Sequence, residues 1–195
     1  PAIDPSCTGQ VSVPGQAKTS DLTLQWEGGT EPIDGIAGHF GTNDDCLDIM
    51  VANEKTHNVT FIQGVCTGGD NYKFDHSTVT MIPVGDSPQA IQVSDLDSDG
   101  YNDTIAALAD DISVMFGEPG GFEKPRYLPG GIAQGIAPSS LVVEDVNADG
   151  WDDLLAPSSN QNRIMVYLNG GDRDFFGPYV LPCGIEPTKI LVADM

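Results

Sequence analysis

A nine-residue phrase occurs twice in this chain, and the two copies start 50 residues apart. They are Asp95-Leu-Asp-Ser-Asp-Gly-Tyr-Asn-Asp103 and Asp145-Val-Asn-Ala-Asp-Gly-Trp-Asp-Asp153. A fixed interval of this size points to stacked copies of one small unit, because a unit so short cannot bury its apolar face alone. A second phrase, a Gly three residues before a Pro, sets the phase. It occurs as Gly29-Thr-Glu-Pro32, Gly85-Asp-Ser-Pro88, Gly135-Ile-Ala-Pro138 and Gly184-Ile-Glu-Pro187, with spacings of 56, 50 and 49 residues. Short apolar segments follow each Pro: Ile36-Ala, Ile91-Gln-Val, Leu141-Val-Val and Ile190-Leu-Val. Seven residues past each Pro stand His39, Asp95, Asp145 and Asp194.

The phase divides the chain into units of about 29–84, 85–134 and 135–183, with a partial unit at 184–195. In 1–28, Val11-Ser-Val and Leu22-Thr-Leu-Gln-Trp26 alternate as strands do and are expected to be outer strands of a preceding unit. Each full unit is predicted to hold about four short strands and no helix. Hairpins are expected around Glu54 to His57, at Asp110-Asp111, and across the polar turn from Ser158 to Asn162.

The two loops carry the chemistry. Ca²⁺ is a hard cation that takes roughly six to eight oxygen ligands. Side-chain oxygens at the first, third and fifth positions of a curled loop can converge: Asp95, Asp97 and Asp99, and Asp145, Asn147 and Asp149. Gly100 and Gly150 permit the sharp bend between them and the rest. The carbonyls of Tyr101 and Trp151 are candidate further ligands, and Asp103 and Asp153 are expected to close the sites. An EF-hand begins in the same way but needs a bidentate Glu at its twelfth position, where this chain has Ala106 and Ala156. The flanks are strand-like, so a short calcium loop between two strands is the expectation, with two Ca²⁺ sites in all.

The first unit departs from this pattern. His39, Gly41 and Asn43 hold the ligand positions, and one extra residue separates His39 from Asp48. Imidazole nitrogen suits hard Ca²⁺ poorly. No ordinary site is expected there, or a weak one using Asn43, Asp44 and Asp48. A disulfide is expected instead: a hairpin centred on Thr56 places Cys46 opposite Cys66, within the reach of directly opposed strand residues. Cys7 and Cys183 lie far apart, and the sequence does not decide their pairing.

Net charge is −21, with only eight Lys and Arg in 195 residues. Nucleic acid and anionic membranes both select basic patches, so the balance argues against them as partners. The apolar runs are too short to span a bilayer. Four cysteines without a C-x-x-C pattern give zinc and haem attachment poor support, and their even count together with the calcium-type loops favours an oxidising, extracellular setting.

Val93-Ser-Asp-Leu-Asp-Ser-Asp-Gly-Tyr-Asn-Asp-Thr-Ile and Val143-Glu-Asp-Val-Asn-Ala-Asp-Gly-Trp-Asp-Asp-Leu-Leu resemble FG-GAP/VCBS repeats of the integrin-α-like β-propeller family. Phe116-Gly-Glu-Pro-Gly-Gly-Phe and Leu168-Asn-Gly-Gly-Asp-Arg-Asp-Phe-Phe-Gly-Pro resemble the segments that follow the hairpin in those repeats. The resemblance implies an all-β propeller of four-stranded antiparallel blades about a central axis, with Ca²⁺ loops joining strands within a blade. It also implies more blades than this chain supplies. The expectation is therefore a segment of a larger propeller, with a four-bladed ring as the alternative.

The function implied is a calcium-stabilised extracellular scaffold or adhesion module, secreted, on a cell surface or in a periplasm. Its expected partners are a protein or glycan ligand, or other chains or domains that complete the ring. A lectin reading would draw on Trp26, Tyr72, Tyr127, Tyr167 and Tyr179. A sugar lyase or dehydratase is the weaker reading, because His39, His57 and His76 form no recognisable acid–base set. Arg126 and Arg163 read as isolated surface charges.

Overall fold

Three four-stranded antiparallel sheets follow one another along the chain. The computed structural model describes residues 31–40, 46–66, 72–74, 79–128, 138 and 140–193. The first sheet uses β1 (Pro32–Gly38), β2 (Asp48–Asn53), β3 (Asn58–Ile62) and β6 (Thr80–Pro83), while β4 (Gly64–Cys66) and β5 (Tyr72–Phe74) form a side ribbon. In the second sheet β7 (Ala90–Ser94), β8 (Asp103–Ala107), β9 (Ile112–Met115) and β12 (Arg126–Tyr127) lie in that order. Its side ribbon is β10 (Gly117–Glu118) with β11 (Gly121–Phe122). The third sheet is β13 (Val142–Glu144), β14 (Asp153–Ser158), β15 (Arg163–Asn169) and β16 (Phe175–Pro182), in order. No helix occurs among the described residues.

The second strand of each sheet is buried along its whole length: β2, β8 and β14. Such a strand is covered on both faces, so it reads as a continuous apolar run rather than an alternating one. One core joins the first and second sheets, with Met50, Ala52 and Val59 against Ile91, Ala106 and Met115. Another joins the second and third, with Ile105 and Ile112 against Leu154, Met165 and Tyr167. Burying a side chain such as Ile105 or Leu154 contributes roughly 2 kcal/mol. Strand β7 touches both β1 and β13, so the first strands of the three sheets stand side by side. These are β-propeller blades, packed face to face.

The turns fall where the sequence places them, at 54–57, 108–111 and 159–162. The first hairpin differs in register. Ile49 faces Ile62 rather than Gln63, one residue off a Thr56-centred hairpin. Strand β3 ends at Ile62, and the chain resumes after Gln63 as β4, paired with β5. Across this break Cys46 and Cys66 form a disulfide, with Cα atoms 5.6 Å apart. Cys183 is a free thiol. Cys7, the strands expected in 1–28, Gly41, Asn43, Asp44 and Asp194 lie outside the described residues.

Candidate metal centre

Each acidic loop joins the first strand of its blade to the second: 95–103 links β7 to β8, and 145–153 links β13 to β14. The two fold alike, hydrogen bond for hydrogen bond. Asp95 accepts the N–H groups of Asp99 and Gly100 at 3.1 and 3.0 Å, and Asp145 accepts those of Asp149 and Gly150 at 3.2 and 2.9 Å. Asp97 Oδ1 and Asn147 Oδ1 take the same N–H of Asp99 and Asp149, at 3.2 and 2.9 Å. Asp99 and Asp149 accept the N–H groups of Tyr101 and Trp151, at 2.8 and 2.9 Å. The bend needs left-handed backbone at two positions, Ser98 and Gly100 in one loop and Ala148 and Gly150 in the other. No heavy atom stands within 4 Å of the place a Cβ would take at Gly100 or Gly150, so backbone conformation alone explains those glycines.

The curl brings Asp95, Asp97 and Asp99 together, with one carboxylate oxygen from each within 4.8 Å of the others. The donors are oxygen only, as a hard cation requires. In the second loop Asn147 replaces one carboxylate, and its amide donates to Asp149 Oδ2 at 2.8 Å.

Asp103 and Asp153 have a further, backbone-holding task. They open β8 and β14, are fully buried, and hold the base of each loop. Asp103 accepts Leu96 N–H at 2.7 Å and Gly117 N–H at 2.8 Å, one on each oxygen. Asp153 accepts Val146 N–H at 3.1 Å and Asn169 N–H at 2.8 Å in the same way. The first blade repeats the arrangement: Asp48 opens β2 and accepts Phe40 N–H at 3.0 Å and Gly64 N–H at 2.7 Å. Burial pushes the Asp103 carboxyl up to about 7, against the pull of the Gly117 and Leu96 N–H groups, and Asp97 and Asp95 add to the push. Burial raises Asp153 as well, opposed by its N–H donors from Asn169 and Val146. A cation beside either group would relieve that cost.

Sequence reasoning passed over Arg173, in the turn between β15 and β16. Its guanidinium bonds to Asp97 through Nε and to Glu123 through Nη1, and Nη2 stands 3.5 Å from Asp99 Oδ2. It also lies over the Phe116 ring, 4.6 Å from the centroid. A protein cation thus already rests on the carboxylates of the first loop. The clue available was that basic residues are scarce, and one of them falls inside the Gly-Gly-Asp-Arg-Asp phrase. Arg126 is not an isolated charge: it pairs with Glu123 at 2.6 Å and lies over the Phe116 ring, 5.2 Å from its centroid. Arg163 is exposed, and its Nε donates to the Gln161 carbonyl at 3.3 Å.

Loop and blade contacts continue sideways. Asn102 donates to the His39 carbonyl at 2.8 Å, Asn169 donates to the Leu96 carbonyl at 2.7 Å, and Ser94 bonds to Asp152. His39 Nδ1 lies 3.0 Å from the Cys46 carbonyl, and His57 Nδ1 accepts Ser87 N–H at 2.9 Å, so neither faces a shared centre. Of the aromatic candidates, Tyr127 and Tyr179 are exposed and Tyr167 is fully buried. Tyr72 lies in β5, and Trp26 and His76 are outside the described residues.

The fold and its paired loops place the chain among repeat-built propellers. The FG-GAP-like repeat family matches residues 95–156 and 145–195, and the chain belongs to that family. No curated protein matches it. Among eight solved chains that match in structure is the one in "Crystal structure of BBS1N in complex with ARL6DN, soaked with lead". That likeness has a TM-score of 0.51 at 13% identity and covers 83% of this chain. The present chain spans 47% of the length of that one. The architecture is that of a scaffold or ligand-binding module. Among the described residues, no helix is long and apolar enough to cross a membrane.

Proposed function

We propose that this chain is part of an extracellular propeller that holds Ca²⁺ in loops 95–103 and 145–153 as structural ions and offers a rigid surface to a protein ligand. The observation that carries the reading is the matched folding of the two loops around oxygen-only donors, with three carboxylates converging in the first. Asp95, Asp97 and Asp99 would hold one ion, and Asp145, Asn147 and Asp149 the other. The carbonyls of Tyr101 and Trp151 would add to them. The ions would supply charge that the crowded carboxylates lack, and so stiffen the link between the first two strands of each blade.

The Cys46–Cys66 disulfide supports an oxidising compartment. A protein partner is favoured over a glycan because the BBS1N chain of similar fold is found in a complex with ARL6DN. Thermal melts in Ca²⁺ and in chelator test the metal reading. The parent chain should melt several degrees higher with Ca²⁺, since binding to the folded state alone raises stability by roughly 2.7 kcal/mol at a hundredfold excess over Kd. The Asp97→Ala, Asp149→Ala double variant should lose that rise. A parent indifferent to Ca²⁺ would remove the metal from this account.

A further inference from the structure

We propose that Arg173 is the resident counter-cation of loop 95–103, and that a divalent ion entering this loop must displace it. Among the described residues, loop 145–153 carries no such restraint. The first loop would therefore exchange its tie to the third blade for a metal ion, while the second takes its ion freely. The metal half of this proposal rests on the Ca²⁺ reading above; the tie itself does not.

The turn that carries Arg173 is fixed from both sides. Gly170 N–H bonds to the Asp174 carbonyl at 2.8 Å, and Asp174 N–H to the Gly171 carbonyl at 3.0 Å. Gly171 lies so close to the Trp151 ring that a Cβ there would meet it at 2.8 Å. The turn thus leans on loop 145–153 while Arg173 reaches loop 95–103. Asp172 and Arg173 both have left-handed backbone, at φ 49° and 67°, which ordinary residues keep only when their surroundings hold them. The guanidinium fork then serves three carboxylates, those of Asp97, Asp99 and Glu123, and packs on Phe116. Only a planar, multi-pronged cation can do this; a lysine offers one point charge. The Asp97 side chain is only 6% exposed, so the bridge takes up the oxygen that solvent or an ion would otherwise reach.

The second loop solves the same problem internally. Among the described residues no Lys, Arg or His forms a salt bridge with Asp145 or Asp149. The Asn147 amide donates to Asp149 instead. An amide on its own loop can turn aside without breaking any contact between blades, whereas Arg173 cannot leave Asp97 without loosening one.

The test uses the whole chain with Arg173→Gln and Arg173→Lys, followed at the amides of Gly100 and Gly150, one in each loop. In chelator, Arg173→Gln should speed hydrogen exchange across 96–101 and leave 146–151 unchanged. In a Ca²⁺ titration the same variant should tighten binding at Gly100 roughly tenfold, the factor set by removing one partly exposed charge pair, and leave Gly150 unaltered. Arg173→Lys keeps the charge but not the fork and should fall between parent and Arg173→Gln in both readouts. Equal Ca²⁺ affinity at Gly100 in all three chains would overturn the competition while leaving the Ca²⁺ reading intact. Unchanged exchange at 96–101 in chelator would overturn the tie itself. If neither glycine of the parent responds to Ca²⁺, the metal reading fails and the displacement fails with it.

Discussion

Asp48 in the first blade and Asp103 and Asp153 in the next two perform one task with the same geometry. Each opens the second strand, is fully buried, and accepts one N–H from the loop before it and one from the strand end after the hairpin. The blades differ above that point. The second and third carry the curled acidic loops, whereas the first carries His39 and a disulfide between Cys46 and Cys66. A feature kept where the acidic positions are absent belongs to the blade, and a feature present only with them belongs to the acidic loop. By that test the closing aspartate of each loop is a structural clamp, and the groups proposed to hold an ion are those at the first, third and fifth positions.

The largest effect that could break this comparison is at Asp48. Replacing it with Ala leaves two buried N–H groups without an acceptor, and unfolding in urea should show a loss of about 4 kcal/mol, the same in Ca²⁺ and in chelator. Asp48→Asn, which keeps one acceptor oxygen, should lose less. A change under about 1 kcal/mol for Asp48→Ala would mean the clamp is dispensable and the likeness between blades is superficial.

Somewhat smaller is the disulfide, which closes a loop between residues separated by 20 in sequence. The Cys46→Ser, Cys66→Ser double variant should lose about 3 kcal/mol by the chain-entropy account. Its melting shift on adding Ca²⁺ should match that of the parent, because the covalent tie and the acidic loops lie in different blades. A Ca²⁺ response that vanishes with the disulfide would show that the first blade shares in metal binding.

Much of this was legible in the sequence because it is written locally. The interval between the acidic phrases, the Gly and Pro punctuation and the apolar runs define the blades. The oxygen-bearing positions of each loop lie within five residues of one another. The clamp was not legible for the opposite reason. Asp103 stands in the same phrase as Asp95 to Asp99, but its partner Gly117 is 14 residues away across a hairpin. Nothing in the phrase separates a carboxylate that faces the loop centre from one that faces backbone. Arg173 was hidden more deeply, since it meets Asp97 across 76 residues and only the packing of two blades brings them together. The cysteine pair was legible although the hairpin register was one residue off, because the break after Ile62 takes up the difference.

The proposed division of labour between clamp and ion-holding carboxylates is tested most directly within one loop. Urea unfolding of Asp149→Ala and Asp153→Ala, each in chelator and in Ca²⁺, separates the two roles. The account predicts that Asp153→Ala loses about 4 kcal/mol in chelator, as Asp48→Ala does, from the same pair of stranded N–H groups. Asp149→Ala should cost little in chelator and lose much of the Ca²⁺-dependent gain. An Asp153→Ala chain as stable as the parent in chelator, and weakened only when Ca²⁺ is present, would contradict the account and return Asp153 to the role of a metal ligand alone.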